Sequence, residues 1–387
     1  MLRKDFHISG FRILKLAGGG VLLILMVLFC LFQFNTQIQY QTYDNTNISY
    51  NRAAVLKVTK ESLELIPNSG GRYLGKQEIV IRMKTGPYKG EQITLQHSLS
   101  TTHNVHVKTG QSLIIRVESV EGGSPYFSVY NYDRTPGMIA IVLAFFVLTV
   151  SVGGLKGLRS VIGLLFTLFF ILAFMLPAIY NGYSPVWCSI ITVVVTTGVN
   201  MIVLNGFSKK TMCAVVSTMA GVMMTGAFFS LISFILHISG YTVSETEELL
   251  LISGSTGMKI QEVLFAGALI SSLGAVMDTS LSLASALLEI QLTDPARSFR
   301  QLFSSGINIG KDMIGTMTNT LILAFVGSAL VTLLVLISYG VAFDQLMSSD
   351  YIAVEIAHGI AGSTGIVLSV PLTSLIAAWV YSRTTKM

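Results

Sequence analysis

Eight apolar runs, each long enough to cross the ~30 Å hydrocarbon core of a bilayer, constrain this chain more than any other feature. They fall near residues 14–33, 137–155, 160–180, 186–204, 211–237, 262–289, 313–337 and 354–381. A soluble domain cannot bury that much continuous apolar helix, so the bilayer is the expected solvent for most of the chain. Charged residues make up 12% of the sequence, about half the ~25% usual in a globular domain.

The net charge is +5, but Lys and Arg fall in short clusters beside the apolar runs. That pattern orients membrane proteins and does not form a nucleic-acid face. Arg3, Lys4, Arg12 and Lys15 precede the first run and predict a cytoplasmic N-terminus. Counting forward, Lys156/Arg159, Lys209/Lys210, Arg297/Arg300/Lys311 and the C-terminal Arg383/Lys386 all fall on that same side. The opposite loops are acidic, with Glu245, Glu247 and Glu248 and then Asp344 and Asp350, while Tyr180, Tyr183 and Trp187 suit an interfacial aromatic belt. Cys30, Cys188 and Cys213 lie in or beside apolar runs, so no disulfide framework is expected. Phe29 precedes Cys30 where a lipoprotein signal needs a small residue, so the first run reads as an uncleaved anchor.

The expected organisation is a basic cytoplasmic segment (1–13), a transmembrane anchor (14–33), an extracytoplasmic β-rich domain (34–136), a seven-helix transmembrane domain (137–381) and a cytoplasmic tail (382–387). Within the third segment, stretches 54–59, 78–83, 92–96, 113–117 and 126–130 alternate with strand periodicity between Gly and Pro turns. Five short strands predict a small all-β fold, an OB-like barrel or a sandwich. Residues 35–51 are polar and read as a linker. Ser244 and Glu247 form a capping-box pattern for a short outer helix. Asp294-Pro295 reads as the start of an amphipathic helix on the cytoplasmic leaflet.

The sixth run carries the most informative polar pattern. Ser271, Gly274, Asp278, Ser282, Ser285 and Glu289 step by three or four and share one helical face. An ionised carboxylate mid-span costs ~2.5–3.5 kcal/mol, so Asp278 needs a partner, a proton or a wet cavity. The competing reading is tight helix packing through small residues. In the seventh run Asp312, Gly315/Thr316 and Asn319 share a face, with Thr318 beside them. Asn319 and Asp278 differ in expected depth by roughly 6 Å at ~1.5 Å per residue, near enough for direct or water-bridged contact.

The eighth run carries Glu355 and His358 one turn apart near its outer end, able to relay protons or simply to be solvated. Gly362, Gly365, Ser369 and Thr373 continue a small polar face, and Pro371 predicts a kink. His97, His103 and His106 are the only metal-like spacing in the β region, and no cysteine or carboxylate cluster completes it. Walker, dinucleotide, nucleophile-elbow and zinc-protease motifs are missing from the sequence, so no cofactor, metal or enzymatic activity is expected.

Gly274-Ala275-Val276-Met277-Asp278-Thr279-Ser280, Ser305-Gly306-Ile307-Asn308-Ile309-Gly310-Lys311-Asp312 and Gly315-Thr316-Met317-Thr318-Asn319-Thr320-Leu321 together resemble the YibE/F-like family of bacterial membrane proteins, over the whole chain. The resemblance implies a multi-pass topology in the bacterial cell membrane and carries no activity with it. A local pattern is also similar to the fourth and fifth spans of SecDF- and RND-type proteins. It consists of Gly274-x-x-x-Asp278, Glu289 eleven residues on, a basic amphipathic stretch and then a Thr-rich span. In those proteins the acid serves proton coupling, although they have six spans rather than eight and a different outer domain.

The expectation is therefore a secondary transporter or permease moving a small ion or solute, with Asp278 as the proton or cation site. Asn319, Thr316, Thr318, Glu289 and Asp312 would line the path, and Glu355 and His358 would form an outer polar pair. The alternative is a non-transporting assembly or envelope factor whose β domain binds a protein partner.

Overall fold

The computed structural model describes residues 47–119, 123–240, 250, 253–254 and 256–384. The first apolar run and the helix expected from Ser244 lie outside the described residues. The chain divides into two compact units, one spanning 41–148 and one containing 149–387.

In the first unit, β1 (Ile48–Leu65), β2 (Tyr73–Met83), β3 (Gln92–Leu99), β4 (Ser112–Glu118) and β5 (Tyr126–Tyr132) form one antiparallel sheet in the order β3-β2-β1-β4-β5. β3 and β5 end that order, yet they approach each other, so the sheet curls. Strict alternation drives this: in β4, Leu113, Ile115 and Val117 point inward and meet Ala53, Val55, Ile79 and Ile81 in one buried cluster. β1 serves both halves. Its first residues pair with β4 and the rest with β2, and register shifts after Val55 and Val58 supply the bend.

All five expected strands are present, but the supposed linker is partly strand. Ile48 pairs with Glu118 and Asn51 with Ile115. The alternation was masked by Asn51, a buried polar residue whose Nδ2 donates to Ser49 Oγ at 3.0 Å.

The second unit is helical. α1 (Thr135–Phe170) starts in the first unit, enters the second at Thr149 and leaves helical geometry at Gly154 (φ 55°, ψ −137°). A Cβ on Gly157 would collide with the carbonyl oxygen of Thr149. In a straight helix those residues would stand ~12 Å apart, so the chain doubles back in the gap between two apolar runs. A π-helical turn (Ile171–Met175) leads to α2 (Leu176–Tyr180). Then follow α3 (Pro185–Asn205), α4 (Lys209–Ile235), α5 (Ile260–Thr293), α6 (Phe299–Ser338), the short α7 (Phe343–Met347) and α8 (Asp350–Thr384), which runs through Pro371. Among the described residues, six helical segments are long and apolar enough to cross a membrane.

Side-chain contacts give the helix directions. Between α6 and α8, Gly306 meets Ser374, Gly310 meets Val370, Leu321 meets Gly362 and Phe325 meets Gly359. One number rises as the other falls, so the two helices are antiparallel. Between α5 and α8, Leu264 meets His358 and Ser280 meets Thr373, so this pair is parallel. α4 is antiparallel to α5, with Gly226 against Phe265 and Leu269 and Gly221 against Val276.

One sequence expectation changes here. The Asp294-Pro295 segment does not start a separate amphipathic helix. α5 ends at Thr293, Asp294 pairs with Arg297 at 3.2 Å, and α6 begins at Phe299 and runs unbroken for 40 residues. The decisive cap is Ser298 with Gln301: each side chain bonds the other's backbone N–H, satisfying two donors at the helix start. The earlier spans also bring buried polar groups into the bundle. Thr192, Thr196, Thr197 and Asn200 of α3 and Ser217, Thr218 and Thr225 of α4 are buried in the bundle.

Candidate functional site

The small polar face of α8 is a packing seam. Gly365 is buried, and a Cβ there would collide with Thr225 Oγ1. Gly221 faces Ser369 across the same seam, and Gly362 is packed by Leu321 and Ser272. Small residues let the backbones of α4, α5 and α8 approach closely, as expected between membrane helices. Thr373 Oγ1 donates to Ser280 Oγ at 3.3 Å, and Tyr381 Oη donates to the carbonyl of Ala284 at 3.1 Å.

The polar face of α5 points the other way. Between Val263 and Gln291 its exposed positions are Gly267, Ser271, Gly274, Asp278, Ser282 and Glu289, with Ser285 half-buried. Ser272, Val276, Thr279, Leu283 and Leu287 take the inner face. No large apolar side chain is exposed on α5 between Ile260 and Gln291. A lipid-facing helix shows the opposite composition, as the C-terminal half of α6 does with Leu323, Val326, Leu330, Val331 and Leu334 exposed. Gly274 confirms the openness, because a Cβ there would meet nothing within 4 Å.

The N-terminal half of α6 extends this surface. Asn308, Lys311, Asp312, Gly315, Thr316 and Asn319 are exposed, while Gly306 and Gly310 are buried against α8. Met277 shares a hydrophobic cluster with Met313 and Ile314, and Ala275 shares one with Met317. Asp278 therefore stands nearer the 312–316 turn than Asn319. Among the described residues Asp278 has no hydrogen bond or ion pair, so it makes no direct hydrogen bond to Asn319. Thr316 Oγ1 donates within its own helix, to the Met313 carbonyl at 3.2 Å. The Thr318 Oγ1 is buried with no partner among the described residues.

Glu355 and His358 make no hydrogen bond or ion pair with each other. The His358 ring stacks on Phe229 (centroids 5.2 Å, 18°) and on Phe325 (6.0 Å, 27°), and its Nε2 lies 3.0 Å from the Leu264 carbonyl. The imidazole thus ties α8 to α4, α5 and α6. His237 is exposed at the end of α4, with φ 54°, and does not join it.

In the β unit the histidines are addressed to carbonyls and a carboxylate. His97 Nε2 lies 2.7 Å from Val105 O, His103 Nε2 lies 3.0 Å from Val129 O, and His106 Nε2 lies 3.7 Å from Glu61. Burial pushes His97 below its ordinary pKa, partly opposed by the Val105 bond and helped by nearby His103. No group of His, Cys, Asp or Glu among the described residues is arranged to hold a metal ion.

Sequence reasoning missed the buried hydroxyls of α3 and α4, and little in the sequence could have exposed them. Helical Ser and Thr satisfy themselves locally, as Thr192 does on the Cys188 carbonyl (2.7 Å) and Ser217 on the Cys213 carbonyl (2.7 Å), so they fit a core as readily as a pathway. Thr197 Oγ1 and Thr218 Oγ1 lack even that, and are buried without a partner among the described residues.

The family model for the YibE/F-like protein matches residues 141–383. The match takes in the helices from residue 141 onward, and the five strands lie outside the matched residues. No curated protein and no solved structure matches the chain.

Proposed function

The chain belongs to the YibE/F-like family, and we propose that it is a secondary permease of the bacterial cell membrane in which Asp278 is the proton or cation site. It crosses the membrane eight times with both termini in the cytoplasm. The break at Gly154 divides the 137–155 and 160–180 spans, and the run at 14–33 adds the first. The β unit lies outside the cytoplasm and is OB-like, since its strand order with β3 and β5 drawn together suits a five-stranded barrel.

One observation carries the transport reading: α5 exposes only Gly, Ser, Asp and Glu along its outer line between Val263 and Gln291. Facing lipid, an ionised Asp278 would cost ~2.5–3.5 kcal/mol. A line of small polar residues around it forms instead one wall of a hydrated path. Protons or small cations exchange on the Asp278 carboxylate, and Thr316, Asn319 and Asp312 of α6 extend the wall. Glu289 marks its cytoplasmic end.

The test is flux into proteoliposomes holding the full chain, driven by a pH or cation gradient. Asp278→Asn, which keeps the shape and removes the charge, should abolish coupled flux. Unchanged proton and cation movement in that variant would end the proposal.

A second reading has an observation of its own. The surface at Ser271 and Gly274, unfilled among the described residues, also suits a docked partner helix, as an assembly factor would need. The two readings separate by complementation. A transporter fails with Asp278→Ala, whereas an assembly factor tolerates Asp278→Ala and fails without residues 52–133.

A further inference from the structure

A groove of about 300 Å³ runs between α6 and α8 on the apolar side of the helical unit. Phe325 and Leu333 line it from α6, and Ile352, Ile356 and Gly359 from α8. Along α8 it extends from Ile352 to Ile360, ~12 Å at 1.5 Å per residue. Among the described residues, Glu355 is the only ionisable one in its lining. The Glu355 Oε2 is buried and has no hydrogen-bond partner among the described residues.

Among the described residues, no group answers this carboxylate. His358, one turn along, is turned to the Leu264 carbonyl and held between Phe229 and Phe325. No Lys or Arg lines the groove. A carboxylate in an apolar cleft gains most from a cationic N–H donor that arrives with its own apolar surface, because charge pairing and chain burial are then satisfied together.

We propose that this groove binds a protonated alkylamine, its ammonium on Glu355 and its chain along Ile356 and Gly359 between α6 and α8. The site lies apart from Asp278 and does not depend on the coupling role proposed for that residue.

Native mass spectrometry of the full-length, detergent-solubilised chain can test this, with decylamine as the probe at neutral pH and decanol as its uncharged counterpart. The wild type should hold decylamine at least about tenfold more tightly than decanol, as expected for a charge-assisted bond. Glu355→Gln should cut decylamine affinity about tenfold and leave decanol unchanged. Gly359→Leu, which fills the groove beside Phe325, should weaken both ligands. Equal affinity for the two probes in the wild type would overturn the proposal, whatever the variants do. So would decylamine binding that survives Glu355→Gln. Failure of both probes to bind would overturn it too.

Discussion

Two glycines on adjacent helices, each on a small polar stripe, should respond in opposite directions to the same change. A Cβ on Gly365 would strike Thr225 Oγ1 and come within 3.2 Å of both Thr225 Cβ and the Gly221 carbonyl oxygen. The carbonyl belongs to the backbone of α4, and Thr225 is β-branched, so neither can swing aside cheaply. Overpacking of this kind costs about 1–3 kcal/mol, against a gain of up to about 1 kcal/mol from replacing a helical Gly by Ala. Gly365→Ala should therefore lose about 1–2 kcal/mol of stability. Gly274→Ala meets nothing within 4 Å and should be neutral or gain up to about 1 kcal/mol. Reversible denaturant titration of the detergent-solubilised chain would measure both. The double variant Gly365→Ala/Thr225→Ala should recover at least half of the loss, because the second change removes the obstructing atoms. The reasoning is refuted if Gly274→Ala costs as much as Gly365→Ala, or if Thr225→Ala restores nothing.

Three further outcomes follow from the structure. Gln77 accepts from Val107 N–H at 3.0 Å and donates to Val107 O at 2.9 Å. Gln77→Leu orphans both buried groups and should cost about 1–3 kcal/mol for each, read as a lower melting temperature of the β unit. Burial depresses the pKa of His97 in the folded state, so the unfolded chain takes up the proton first as pH falls. Stability conferred by neutral His97 is complete above its unfolded pKa near 6.5 and declines below it, until the depressed folded pKa is reached. Melting curves of the 41–134 segment from pH 7.5 to 5 should show that decline, and His97→Gln should reduce it. Ser298→Ala removes the cap of α6 and should cost about 1 kcal/mol, with faster amide exchange confined to the first turn of that helix.

What could be read from the sequence was local. A run of twenty apolar residues specifies a helix in lipid wherever it packs, and strict alternation specifies a strand with one buried face. Hence the membrane assignment, the break near Gly154 and the five strands were all legible. Where a polar residue took an inward position, as Asn51 does, the pattern failed and part of β1 read as a linker. The start of α6 was misread because Asp294-Pro295 and Ser298-x-x-Gln301 are both respectable helix starts, and only the closed capping geometry chooses between them.

The candidate site divides in the same way. Ser271, Gly274, Asp278 and Ser282 on α5 and Gly362, Gly365, Ser369 and Thr373 on α8 are the same kind of stripe, small and polar at helical spacing. Their periodicity was plain, and so was the unusual acid at 278. Periodicity states which residues share a face and nothing about what that face meets. Only the tertiary structure decided that the α8 stripe is closed by Gly221, Thr225 and Ser280 of neighbouring helices, while among the described residues nothing covers the α5 stripe and Asp278. In a bilayer, burial is not driven by expelling apolar groups from water, so the sequence alone carries no hydrophobic signal for which side of a span turns inward. Close packing between particular helices makes that choice.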